Sequence, residues 1–187
     1  MALMKVVRPR VSYGDLARAP EDGRRYEIYD GEVFVVPSPL PRHQIVALNL
    51  AELFREYARA NSGHVLISPI DIVFSEYDVV QPDVVYFTAA RRHLVQPDAP
   101  IRERPDITVE VLSPSTAATD RGKKMQLFAR YGVPEYWLVD PHAQRIEIHR
   151  LGRGSYLLAQ TAGPDDIVRS AILPDLRFPA ARIFPAH

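Results

Sequence analysis

Apolar and polar positions change period several times along the chain, and each change predicts an element. Ser12 is placed to cap a short helix over "SYGDLARA", which Pro20 stops. "RYEIYDGEVFVVP" reads as two strands folded around Asp30-Gly31, a dipeptide suited to a two-residue hairpin turn. From about Pro41 to Ala60, Ile45, Leu48, Leu53, Phe54 and Tyr57 recur at helical spacing and define the expected core face, and "NSG" ends the run. "HVLISPIDIVFS" and "VVQPDVVYF" read as strands, residues 88–104 as an arginine-rich loop or short helix, and "DITVEVLS" as a strand. A helix over 120–131 closed by Gly132 follows, then the strand "EYWLVD". "RIEIHRL", "SYLLAQ" and "DIVRSAIL" predict a β meander. This order predicts a single α/β domain over residues 1–187, a mixed sheet flanked by few helices.

Composition narrows the chemistry. A hydrophobic share of 47% and a charged share of 25% suit a folded soluble protein. No apolar run approaches the ~18 to 20 residues that span a bilayer. "MALMKVVRPR" has no apolar segment of the secretory kind, so a cytoplasmic protein is expected. The absence of cysteine removes disulfides, thiolate metal sites and cysteine nucleophiles. The 23 basic and 23 acidic residues balance, which argues against non-specific coating of nucleic acid but leaves room for a local basic groove. The lysines are Lys5, Lys123 and Lys124, so candidates for a functional amine are few.

"PDITVEVLSPSTAATDRGKK", residues 105–124, gathers carboxylates and lysines of the kind used in metal-assisted hydrolysis. Asp106 and Glu110 are the obvious pair, yet four residues along a strand separate them by ~13 Å at ~3.3 Å per residue. Two carboxylates on one magnesium ion must each come within ~2.1 Å of it. A neighbouring strand lies only ~4.8 Å away, and "QPDVVYF" supplies Asp83 at the start of an apolar strand. Glu110 itself interrupts a buried-type run, and an uncompensated carboxylate there would be costly. At 100° per residue Lys124 shares a helical stripe with Leu127, Phe128 and Tyr131, whereas Lys123 turns toward the outer edge. Asp83, Glu110 and Lys124 are therefore the expected constellation. His43, in the first turn of the long helix, is a candidate for contact with phosphate or water. Tyr136 and Trp137 are expected in the core, and Arg91, Arg92, His93, Arg102 and Arg104 in a solvated loop or a rim facing nucleic acid.

"YEIYDGEVFVVPSPLPRHQ", "QPDVVYF", "PDITVEVLSPST", "DRGKKMQLFARYGVPEYWLVDP" and "LPDLRFPAARIF" together resemble the PD-(D/E)XK nuclease superfamily, in its branch of Uma-type restriction-endonuclease-like proteins. The resemblance implies a restriction-endonuclease-like core with extra strands at both ends. It implies Asp83 and Glu110 as ligands of Mg²⁺ (or Mn²⁺), with a glutamate such as Glu27 near the site. Glu110-Val111-Leu112 departs from the usual E-x-K, which implies that the lysine has moved to the helix, at Lys124. On this reading Asp83, Glu110 and the Val111 carbonyl hold the ion, DNA is the substrate, and paired cuts in a duplex call for a homodimer. A rival is a binding or assembly protein that keeps the fold without turnover; glycoside chemistry by two carboxylates is a more distant one.

Overall fold

The computed structural model describes residues 9–185, so Lys5 and the start of the chain lie outside the described residues. Ser12 and Asp15 cap each other's backbone N–H at the start of α1 (Tyr13–Ala17). The hairpin of β1 (Arg25–Tyr29) and β2 (Glu32–Val36) turns through Asp30 and Gly31, both left-handed (φ 50° and 82°). Next comes α2 (Pro41–Asn61), opened by a proline in its first turn and ended by left-handed Ser62. The strands β3 (His64–Ile67), β4 (Ile72–Ser75), β5 (Asp78–Val80), β6 (Val84–Phe87) and β7 (Ile107–Val111) follow. A helical segment comprises α3 (Ala117–Thr119), a π-helical turn (Asp120–Lys124) and α4 (Met125–Arg130). It leads to β8 (Glu135–Asp140), β9 (Arg145–Leu151), β10 (Tyr156–Ala162), β11 (Ile167–Arg169) and β12 (Arg177–Pro179).

The architecture is mixed α/β. Six strands in the order β10-β9-β8-β7-β6-β3 form the central sheet, where β7 and β8 run parallel because the helical segment connects them. A second sheet, β2-β1-β5-β4, has four strands, and β11 with β12 makes a short ribbon. Period-two alternation divides β7: Ile107, Val109 and Val111 join the core under α2, with Phe54 and Trp137 (ring centroids 5.2 Å apart). Phe178 and Ile183 of the C-terminal ribbon and turn close that face, and Asn49 donates to the Ile183 carbonyl. On the opposite face Leu127 and Phe128 of α4 pack with Tyr136, Leu138 and Tyr29. Truncating Phe54 or Trp137 to alanine would cost ~3 to 5 kcal/mol, as for other buried aromatics.

Four expectations need correction. The buried face of α2 is Val46, Ala47, Leu50, Ala51, Leu53, Phe54 and Ala58; Ile45 and Leu48 are exposed, because small alanines rather than the largest residues allow the close approach to the sheet. "HVLISPIDIVFS" and "VVQPDVVYF" each divide between the two sheets, the second at Gln81-Pro82-Asp83, where Pro82 has no N–H to continue a ladder. "DIVRSAIL" contributes only Ile167–Arg169, paired with β12 and not with the meander of β8, β9 and β10. The helix expected from residue 120 starts at Ala117 and contains the π turn.

Candidate active site

The register that pairs Val84 with Val109, carried back one residue, sets Asp83 across from Glu110. Asp83 Oδ2 accepts the Val111 N–H at 2.8 Å and lies 3.1 Å from His43 Nε2. One carboxylate thus joins the start of β6, the end of β7 and the first turn of α2. Burial works against a charged His43, but the bond to Asp83, the charges of Asp83 and Asp120 and a bond with Gln44 together outweigh it and raise its pKa.

Lys124 is the hub. Its Nζ stands 3.0 Å from Glu110 Oε1, 3.1 Å from Glu27 Oε1 and 3.6 Å from Asp120 Oδ1. The Lys124 side chain is 7% exposed and that of Glu110 4%. Asp120 and Lys124, the two ends of the π turn, stand four residues apart and so lie on one side of the helical segment. Tyr136 donates from its hydroxyl to the Asp120 carbonyl at 2.9 Å, holding this turn from β8. Glu27 is buried, not solvent-facing as a hairpin residue usually is; it also accepts from Gln81 N at 2.8 Å and from the Tyr29 hydroxyl at 2.6 Å. Its burial has a simple cause. Ile28 packs on the α1 side with Val73 and Val79, while Tyr29 packs against the central sheet and α4, so both faces of β1 are covered.

Three carboxylates (Glu27, Glu110, Asp120) therefore surround one ammonium, and a fourth, Asp83, lies close enough to act on Glu110. Burial pushes the Glu110 carboxyl well up; Lys124 opposes, and Asp120, Asp83 and Glu27 add to the rise. Asp120 is raised for the same reasons, burial first. Burial disfavours the Lys124 ammonium, but Glu110 and Glu27 more than restore it and hold it charged.

The other lysine and the other aspartate of the motif lie elsewhere. Lys123 faces outward, 3.7 Å from Glu32 and over the Phe34 ring. The Asp106 carboxylate accepts the Thr88 N–H and lies near Arg91 and Arg104, tying down the arginine-rich loop that includes the short 3₁₀ turn Arg92–Leu94. Asp120, Tyr29 and Gln81 belong to the surroundings of Lys124 and were not singled out from the sequence. Only Asp120 carried a signal there, being one turn before Lys124 on the same stripe.

These groups lie at the floor of a cleft of about 540 Å³ between residues 36–43 and residues 110–116. Among the described residues no three His, Asp or Glu side chains form a ready-made metal-holding group. Mg²⁺, however, is usually held by one or two carboxylates with waters completing its shell. The donor set fits such an ion: carboxylates exceed cations around the cleft, and the buried oxygens Glu110 Oε1 and Asp120 Oδ1 face only the Lys124 ammonium that they share.

Residues 13–181 match the family model described as "Uma2: Putative restriction endonuclease". The chain belongs to this family. A relative, "Uncharacterized protein slr1290" of Synechocystis sp. strain PCC 6803, is 25% identical over 151 residues, covering 79% of this chain and 78% of its own. A crystal structure described as a putative nuclease belonging to DUF820, from Anabaena variabilis ATCC 29413, superposes with a TM-score of 0.77. It is 18% identical, and the match covers 93% of this chain and 97% of that one, so the two share a fold. No helix among the described residues is long and apolar enough to cross a membrane.

Proposed function

We infer that the cleft hydrolyses DNA phosphodiester bonds with the help of a divalent ion. The observation that carries this reading is the buried ammonium of Lys124, ion-paired with Glu27, Glu110 and Asp120, in a cleft that Asp83 also lines. Asp83, Glu110 and the Val111 carbonyl would hold the ion, Mg²⁺ or Mn²⁺. When bound, it supplies positive charge against the phosphate and makes water more acidic. Lys124 stays charged and adds a fixed positive end where the phosphate gathers charge. Glu27, anchored by Gln81 and Tyr29, keeps that ammonium in place. His43 keeps the Asp83 carboxylate oriented from α2. Cutting both strands of a duplex would take two such clefts, so a homodimer belongs to the same proposal, as does a cytoplasmic location.

The test is calorimetric titration with Mg²⁺ and Mn²⁺, wild type against Glu110→Gln, together with nicking of supercoiled plasmid. We expect metal binding that weakens in the variant and nicking that needs the ion. Neither heat nor nicking in the wild type would end this reading. It would favour a second one, a DNA-binding or assembly module without turnover. That reading draws on the ion pairs Lys124 already makes, which could serve as a self-contained structural network.

A further inference from the structure

We propose that this cleft admits a single unpaired DNA strand in preference to a duplex; the inference rests on the nuclease reading above and names its substrate. Three features of the cleft point the same way.

The first is size and depth. A volume of about 540 Å³ is that of a pocket enclosing a small ligand (~300 to 1,000 Å³), enough for one or two nucleotides. Lys124 and Glu110, with side chains 7% and 4% exposed, lie at its floor. A phosphate must descend between the walls to meet them. An isolated strand can bend its backbone inward, whereas a duplex holds each phosphate on a broad, stiff cylinder.

The second is the wall chemistry. Val36, Pro37, Pro39 and Leu40 face the cleft from one side, and Leu112 and Pro114 from the other. Leu40 remains 70% exposed at the mouth. A duplex would bring hydrated phosphates against these apolar walls and lose solvation without repayment. An unpaired strand presents base faces and sugars, whose apolar surface these aliphatic walls can remove from water.

The third is the supply of cations. Duplex binding commonly rests on several Lys or Arg contacts to phosphates. Above the floor lysine, the cleft residues offer only Arg25 and Arg42, and Arg25 is engaged with Ser68 Oγ and the Pro37 carbonyl. The chain as a whole has no net charge.

The experiment follows 5′-labelled oligodeoxynucleotides of one sequence, as single strand, blunt duplex and duplex with an unpaired flap, in Mg²⁺ or Mn²⁺. We expect the single strand and the flap to be cut at least about tenfold faster than the duplex, a ratio worth ~1.4 kcal/mol in transition-state binding. Leu40→Glu, at an exposed position, should reduce cutting of the single strand with little change in fold by circular dichroism. Equal or faster cutting of the duplex would overturn the proposal and leave the nuclease reading standing, as would faster cutting of an RNA strand than of DNA. If the wild type cuts nothing, the nuclease reading fails and fluorescence anisotropy of the same strands decides. Preferential single-strand binding, lost in Leu40→Glu, would sustain a single-strand site, and equal or absent binding would overturn it.

Discussion

Lys123 and Lys124 are adjacent in the chain, yet one lies over the Phe34 ring at the surface and the other at the meeting point of three carboxylates. On the nuclease reading, Lys124→Ala should lower the initial nicking rate by ~10² to 10³, the range for losing one electrostatic donor. Lys123→Ala should change it little, and Lys124→Arg should recover little, because a planar guanidinium does not place its charge where an ammonium did. Equal losses in both alanine variants would reverse the assignment. Removing the Lys124 charge also strands buried carboxylates, so Lys124→Ala should lose ~3 to 5 kcal/mol in urea denaturation. Rates must therefore be read where circular dichroism shows the variant folded. The facing positions of Asp83 and Glu110 were legible because strand period and strand spacing are fixed quantities. Glu27 was not, since its alternation with Ile28 says nothing about a second layer covering the outer face. Asp120 stood on the right stripe, but its place in the charge cluster depends on how three elements converge.

The element that decides the site is the π turn, held from two sides. Tyr136→Phe would leave the buried Asp120 carbonyl without its donor, and we expect a loss of ~1 to 3 kcal/mol. Urea midpoints of the two proteins check it, and an unchanged midpoint would show that the turn does not depend on this bond. On the other side Arg121, within the turn, makes two bonds to Glu147 of β9 (2.7 and 3.1 Å), with Arg145 adding a third contact. The bond from Arg121, reinforced by the charges of Arg121 and Arg145 and opposed by burial, holds the Glu147 carboxyl below its ordinary value of 4.5. A depressed acid stabilises the fold above that ordinary value, and the stabilisation is lost as pH falls through the folded-state value. The stability difference between wild type and Glu147→Gln should therefore be largest near neutrality and shrink as pH drops below 4.5. Helical phase at 100° per residue brought Lys124 inward even though it presumed an unbroken α-helix. The π turn has no composition signal, and the alanine face of α2 was hidden by larger residues whose spacing also fitted a helix.

At the scale of the whole molecule, the two principal cores share one sheet: Trp137 and Tyr136, neighbours on β8, enter opposite faces. Their packing should be lost together, as the single-domain expectation requires. Trp137 is the only tryptophan, so its fluorescence reports the α2 face alone, while far-UV circular dichroism reports the entire fold. We expect the two urea transitions to coincide, and separated midpoints would divide the chain into independent units. The exposed residues 96–100 lie in the loop between β6 and β7 and interrupt neither strand. A chain opened there would carry Glu27, His43 and Asp83 on one piece and Glu110, Asp120 and Lys124 on the other. Neither piece alone could assemble the charge cluster. On the nuclease reading, the protein could thus be produced as two inactive halves, to be mixed only when its chemistry is wanted.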